Sequence, residues 1–264
     1  MRSVALAALV ALLSVAAPVR ASTTLRVLFV GNSLTYYNDV PSMVAALVRA
    51  VDAGIVIESD MLADGGATMR DHLIDDALAR ALKSARYDIV VLQDRGGYPL
   101  CQQGDAACSD SVAAMCEASK RVTAVRAKAI WYGTWQTIPQ AQEVLSDEGR
   151  RAASKCGIEF ADVGAAMQRG RNLGLANLWL PDGHPTAEGS WVAASVLAHA
   201  IVAHPLPQNP AIDAVCRRRW ENPALTRRSL ASNQRASSED CDAPDARALS
   251  IAIAVANSIG QPLR

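Results

Sequence analysis

The chain carries no excess charge of either sign: 26 Lys and Arg stand against 26 Asp and Glu in 264 residues. A basic face that tracks phosphates is not built from such a balance, so nucleic acid is not an expected partner. Internal repeats and long low-complexity runs are missing, and so is any zinc-type spacing of Cys and His. No metal and no cofactor are therefore expected. Past the N-terminus, no apolar run approaches the roughly 20 residues that a membrane-spanning helix requires.

The N-terminus itself has the pattern of a signal peptide. Arg2 supplies a positive start, Val4 to Ala17 an apolar stretch, and Val19-Arg20-Ala21 a small-x-small cleavage site. Removal of residues 1–21, with cleavage near Ala21, would take away Arg2 and Arg20 and leave 24 basic against 26 acidic residues. The expectation is an exported protein, periplasmic or secreted, with no membrane span after processing. The remaining chain of about 240 residues suits one sizeable domain with a full core. Oligomeric state is not legible.

Export places six cysteines, Cys101, Cys108, Cys116, Cys156, Cys216 and Cys241, in an oxidising compartment. Six allow fifteen complete pairings, so connectivity stays open. Cys101 with Cys108, and Cys216 with Cys241, each close a local polar segment, whereas Cys116 lies in a helical pattern and is the best candidate for a free buried thiol.

From residue 25 to residue 204 strand-like and helix-like patterns alternate. LRVLFV, IVIES, YDIVVL, AIWYG and IEFAD are short, apolar and rich in β-branched residues, as buried parallel strands are. Val40, Met43, Val44, Leu47, Val48 and Val51 recur at helical spacing behind Asp39 as N-cap, with Pro41 in the first turn. Leu73 to Leu82 repeat the pattern as one helix, and further helices are expected near 109–128, 140–155 and 186–203. Five parallel strands need right-handed crossovers, which predicts a three-layer α/β/α sandwich around a flavodoxin-like five-stranded parallel sheet. Ligands of such sheets bind beyond the carboxyl ends of the strands, where Ser33, Gly66 and Gln93 would converge. The domain is expected over residues 22–205. Residues 206–264, opening with Pro207 and Pro210, read as an extension packed on it, with a last helix at Ala248 to Ile259.

A hydroxyl is a poor nucleophile at neutral pH and needs an imidazole in reach, usually oriented by a carboxylate. Gly31-Asn32-Ser33 follows the first strand, and Asp182-Gly183-His184-Pro185 precedes a long helical pattern. The segments VLFVGNSLT, ADGGAT, IVVLQD and PDGHPTAEGSWVAASVLAHAI resemble, in this order, the blocks of the SGNH or GDSL-type hydrolases, in a branch whose first block reads GNS. The resemblance covers Leu25 to about His204. It implies Ser33 as nucleophile, His184 as general base, Asp182 as the acid in the same loop, and backbone amides of Ser33 and Gly66 as an oxyanion hole. Two positions depart from the family. One residue rather than two separates Asp182 from His184, which leaves Asp182 either orienting the ring or capping the following helix. Gln93 stands where the family offers an asparagine to the oxyanion. His72 fits a helix surface best, and Trp131, Trp135 and Trp179 are candidates to line the cleft, Trp131 being more simply core.

The expected function is hydrolysis of a carboxylic ester through an acyl-enzyme, with a small-molecule or carbohydrate ester as substrate and deacetylation of a carbohydrate favoured. An O-acyltransferase using the same site, and a non-catalytic cell-envelope binding protein with a degenerate triad, are the alternatives.

Overall fold

A computed structural model describes residues 22–98, 106–212, 215–216 and 241–259. The signal-peptide segment, Cys101 and most of the polar stretch after Pro210 lie outside the described residues. Among those described, no helix is long and apolar enough to cross a membrane.

Five strands, β1 (Thr23–Gly31), β2 (Ile55–Ala63), β3 (Ile89–Gln93), β4 (Lys128–Gly133) and β5 (Glu159–Asp162), form one sheet in the order β2-β1-β3-β4-β5. Every pairing is parallel. Alternate residues feed two cores, because successive side chains of a strand point to opposite faces. Val27 and Phe29 of β1, with Ile130 and Tyr132 of β4, pack under one helical layer, while Leu28, Val30, Ala129 and Trp131 pack under the other. This is the three-layer α/β/α sandwich, and its strand order is the flavodoxin-like one.

The first layer holds α2 (Val40–Val51), α7 (Val163–Asn172), α8 (Ala187–Val202) and the C-terminal α9 (Ala246–Ser258). Helix α2 starts as the sequence dictates: the Asp39 carboxylate accepts from Ser42 N–H at 3.3 Å, and Pro41 sits in the first turn. Ala248, Leu249, Ala252 and Ile253 place α9 in the same core, and Arg169 of α7 donates to Ser258 O at 3.1 Å. Helix α7 is an element that periodicity did not reveal, being short and interrupted by Gly164 and Gly170.

The second layer contains α3 (Met69–Ile74), α4 (Ala77–Ser84), α5 (Ala106–Ala124) and α6 (Pro139–Cys156). The single helix expected over Leu73 to Leu82 is two. Asp76 takes a left-handed φ of 56°, and Asp75 Oδ1 accepts from Ala77 N–H at 3.1 Å. Short acidic side chains compete for local backbone donors in this way and break a helix whose apolar pattern runs on. Across this layer Cys116 of α5 is joined to Cys156 of α6 by a disulfide, so Cys116 is not the free thiol its helical setting suggested. The backbone register of a two-residue antiparallel pair, β6 (Val215–Cys216) with β7 (Cys241–Asp242), sets Cys216 opposite Cys241, and Cys241 is disulfide-bonded.

Strand β1 has β2 on one side and β3 on the other, so successive crossovers leave it in opposite directions. The loops after β1 and β3 consequently part at their carboxyl ends and open a crevice between them.

Candidate active site

A short helix α1 (Ser33–Tyr36) begins in that crevice. Its N-cap is Asn32, whose Oδ1 accepts from Leu34 N–H at 3.1 Å. The same side chain donates from Nδ2 to Ala67 O at 2.8 Å and to Asp94 O at 3.5 Å. One buried residue thus knits together the loops that follow β1, β2 and β3. Directly before it Gly31 has no room for a side chain, since a Cβ there would strike Gln93 Oε1 and Thr35 Oγ1. Ser33 is half-buried at the first helical position, where a backbone N–H has no intrahelical acceptor.

The partner loop precedes α8. Gly183 has φ +86°, which only glycine adopts without strain, and it lets the chain reverse between Asp182 and His184. The turn is fixed by Gly183 N–H donating to Leu180 O at 2.9 Å, Leu180 N–H to His184 O at 2.8 Å and the Trp135 indole N–H to Gly183 O at 3.0 Å. Thr186 then caps α8 through Gly189 N–H. The outcome is a contact of 2.9 Å between His184 Nε2 and Ser33 Oγ, across 151 residues of sequence.

Asp182 reaches His184 twice. Its Oδ1 accepts from the His184 backbone N–H at 3.1 Å, and its Oδ2 lies 2.9 Å from Nδ1. The second approach is close but off the line that a ring N–H takes, so Nδ1 has no aligned hydrogen bond. The His184 backbone N–H, and after it the imidazole, hold the Asp182 carboxyl below the usual carboxylate range. With 60% of its side chain exposed, Asp182 is a solvated partner.

These groups line an open cleft of about 560 Å³, together with Leu34, Gly66, Arg95, Trp135, Gln136 and Leu180. Gly66, rather than Gly65, is the glycine at the cleft. No acceptor is found among the described residues for the N–H of either Ser33 or Gly66, and the Arg95 guanidinium makes no hydrogen bond or ion pair with them. Trp131 is core, edge-on to Phe160, and Trp179 lies beneath Arg171 outside the cleft.

Gln93 stands elsewhere than expected. It is fully buried below the turn, where Oε1 accepts from Asn32 N–H at 2.9 Å and Thr35 Oγ1 at 2.8 Å, and Nε2 donates to Asp94 O. Its amide is committed to shaping the Asn32-Ser33 turn and is not offered to the cleft. Gln93→Ala should therefore cost about 3 kcal/mol of stability by orphaning two buried donors. Urea unfolding of this variant checks the point, because a donor to an oxyanion would lower turnover at unchanged stability. His72, expected on a helix surface, is buried and donates from Nε2 to Gly31 O at 2.8 Å.

Asp94 completes the support. Oδ1 accepts from Met69 N–H at 2.9 Å and Arg95 N–H at 2.7 Å, and Oδ2 from Ser111 Oγ at 2.5 Å. Burial pushes its carboxyl above the usual range despite these donors. The native state then binds this proton more tightly than the unfolded chain, so between the ordinary carboxyl value, about pH 4, and the raised native value its contribution to stability falls as pH rises. Asp94→Asn, which has no proton to lose there, should therefore lose less stability than the parent as pH rises from about 4 towards neutrality. Urea midpoints measured across that range test it.

A serine and a histidine in contact at the carboxyl edge of a five-stranded parallel sheet place the chain among the doubly wound α/β proteins with a crevice at the topological switch point. No family model matches the chain, and no curated protein matches it. Among solved structures it is similar to a chain assigned to the SGNH hydrolases from Slackia heliotrinireducens, with TM-score 0.53 and 27% identity over 68% of this chain and 100% of the other. TesA matches with TM-score 0.51 and 19% identity over 67% of this chain and 99% of its own. For Axe2, an acetylxylan esterase from Geobacillus stearothermophilus, the values are 0.48, 17%, 70% and 94%. The protein has an SGNH-type fold.

Proposed function

We propose that the protein is a serine ester hydrolase acting through an acyl-enzyme, and the observation that carries this reading is the 2.9 Å contact of His184 Nε2 with Ser33 Oγ. His184, with its proton on Nδ1 beside Asp182, takes the Ser33 proton as Oγ bonds to the ester carbonyl carbon. The carbonyl oxygen becomes an oxyanion, which the unengaged N–H groups of Ser33 and Gly66 are suited to receive. His184 then protonates the departing alcohol as its C–O bond breaks. Water repeats the sequence on the acyl-enzyme, giving its proton to His184, releasing the acid and restoring Ser33.

The substrate we assign is a small acyl ester of a carbohydrate. The cleft is open, and its lining combines the polar Gln136, Thr137 and Arg95 with the apolar Leu34, Trp135 and Leu180, a mixture suited to sugar hydroxyls beside a short acyl chain. Export, with cleavage near Ala21, is part of the same proposal, and the Cys116–Cys156 disulfide supports an oxidising compartment. Release of acetate from acetylated oligosaccharides, measured beside hydrolysis of p-nitrophenyl esters of increasing acyl length, tests the assignment. Hydrolysis that improves steadily to long chains on simple esters, with no acetate released from the sugar, would overturn it.

A further inference from the structure

The off-line approach of Asp182 leaves the orientation of the imidazole incompletely explained. A solvated carboxylate, misaligned with Nδ1, is a weak restraint on a ring that must keep Nε2 at Ser33. A stronger restraint comes from the chain that carries the nucleophile. Tyr37, the residue on which α1 ends, lies face to face with His184, with ring centroids 4.3 Å apart and planes 15° from parallel. The next residue, Asn38, donates from Nδ2 to Pro185 O at 3.2 Å and to Ser190 Oγ at 2.9 Å. The first bond grips the residue after His184, and the second grips the first turn of α8.

This segment is held in an uncommon backbone conformation. Asn38 and Asp39 both have φ of 55°, a region that non-glycine residues enter at some cost and that persists only where surrounding contacts fix it. The left-handed pair turns the chain between α1 and α2 sharply enough that Tyr37 and Asn38 face the His184 loop while Ser33 stays four residues behind. Nucleophile and brace thus share one short rigid turn.

We infer that Tyr37 is a positioning residue, its ring stacked on His184 to set the imidazole plane and Asn38 locking the loop beneath it. The inference rests on Ser33 and His184 acting as nucleophile and base. Its physical content is that the distance from Oγ to Nε2 is set from the Ser33 side through Tyr37 and Asn38, with Asp182 acting on a ring already oriented. Stacking needs the aromatic face and not the phenol oxygen, so phenylalanine serves in its place.

Steady-state kinetics on a p-nitrophenyl ester, with parent, Tyr37→Phe, Tyr37→Leu and Asn38→Gly, tests this. Tyr37→Leu should lower kcat tenfold or more with KM within about twofold, because a misplaced base slows the reaction without weakening ground-state binding. Tyr37→Phe should stay within about threefold of the parent. Asn38→Gly, which relieves the left-handed strain while removing the clamp, should lower kcat in the same manner. NMR of the His184 ring supplies a readout independent of turnover: its CH protons should be shifted upfield by the stacked ring in the parent and in Tyr37→Phe, and return toward ordinary positions in Tyr37→Leu. Normal kcat in Tyr37→Leu, or failure of phenylalanine to restore it, would overturn the inference. An inactive parent whose His184 protons still show the stacking shift would overturn the hydrolase reading instead.

Discussion

Ser33→Ala should reduce ester hydrolysis by roughly 10⁴-fold or more and abolish labelling by a fluorophosphonate, with unfolding little changed. The chemistry requires a nucleophilic oxygen at one point, and only the Ser33 hydroxyl meets His184 Nε2 among the described residues. Little stability is at risk because the turn is held by Asn32, Gln93 and Thr35 rather than by the Ser33 side chain. Residual turnover should come from binding and from backbone donors. Labelling that survives at another serine, read by peptide mapping of the modified protein, would refute the assignment.

His184→Ala should cost about as much, and the double variant with Ser33→Ala little more, since a nucleophile and its base act as one unit whose losses do not add. The comparison with Asp182→Asn is the informative one. In a triad where the acid alone orients the ring, the loss approaches 10⁴-fold. Here the carboxylate is solvated and misaligned, and Tyr37 and Asn38 hold the loop by other means. Asp182→Asn should therefore fall between, at about ten- to a hundredfold, with its loss expressed in kcat. Parallel measurement of kcat/KM for the three single variants settles the order, and an Asp182 variant as inactive as His184→Ala would put the acid back in sole charge of the ring.

Much of the fold was legible because its signals are local. Short apolar runs such as LRVLFV and IVVLQ suit strands buried on both faces of a parallel sheet, and Asp39 announces the helix that follows it, whereas the cap of α8 is Thr186 and not Asp182. The helix break at Asp75 and Asp76 was hidden, since the apolar spacing continues through it and only the side-chain competition for backbone donors reveals it. At the site, the turns that carry Ser33 and His184 were legible, and the structure brings the two side chains into contact. Gln93 was misread because its place after β3 suggests a cleft residue, while its role depends on Gly31 having no side chain and so admitting the amide beneath the turn. Tyr37 and Asn32 gave no usable sign. A tyrosine four residues past a serine acquires meaning only when the His184 loop, nearly 150 residues away, folds against it.

The bridge between Cys116 and Cys156 spans 40 residues that include β4 and the cleft residues Trp135, Gln136 and Thr137. This stretch is a closed covalent ring that includes β4, an interior strand of the sheet. A protease that severs one peptide bond within the ring frees nothing: both pieces stay tethered through sulfur, one wall of the cleft stays with the sheet, and the chain still travels as a single molecule. A reductant added to that one cut lets the halves part. Resistance to an environment rich in proteases can in this way be built into one crosslink laid across the outside of a sheet whose chemistry happens at its edge.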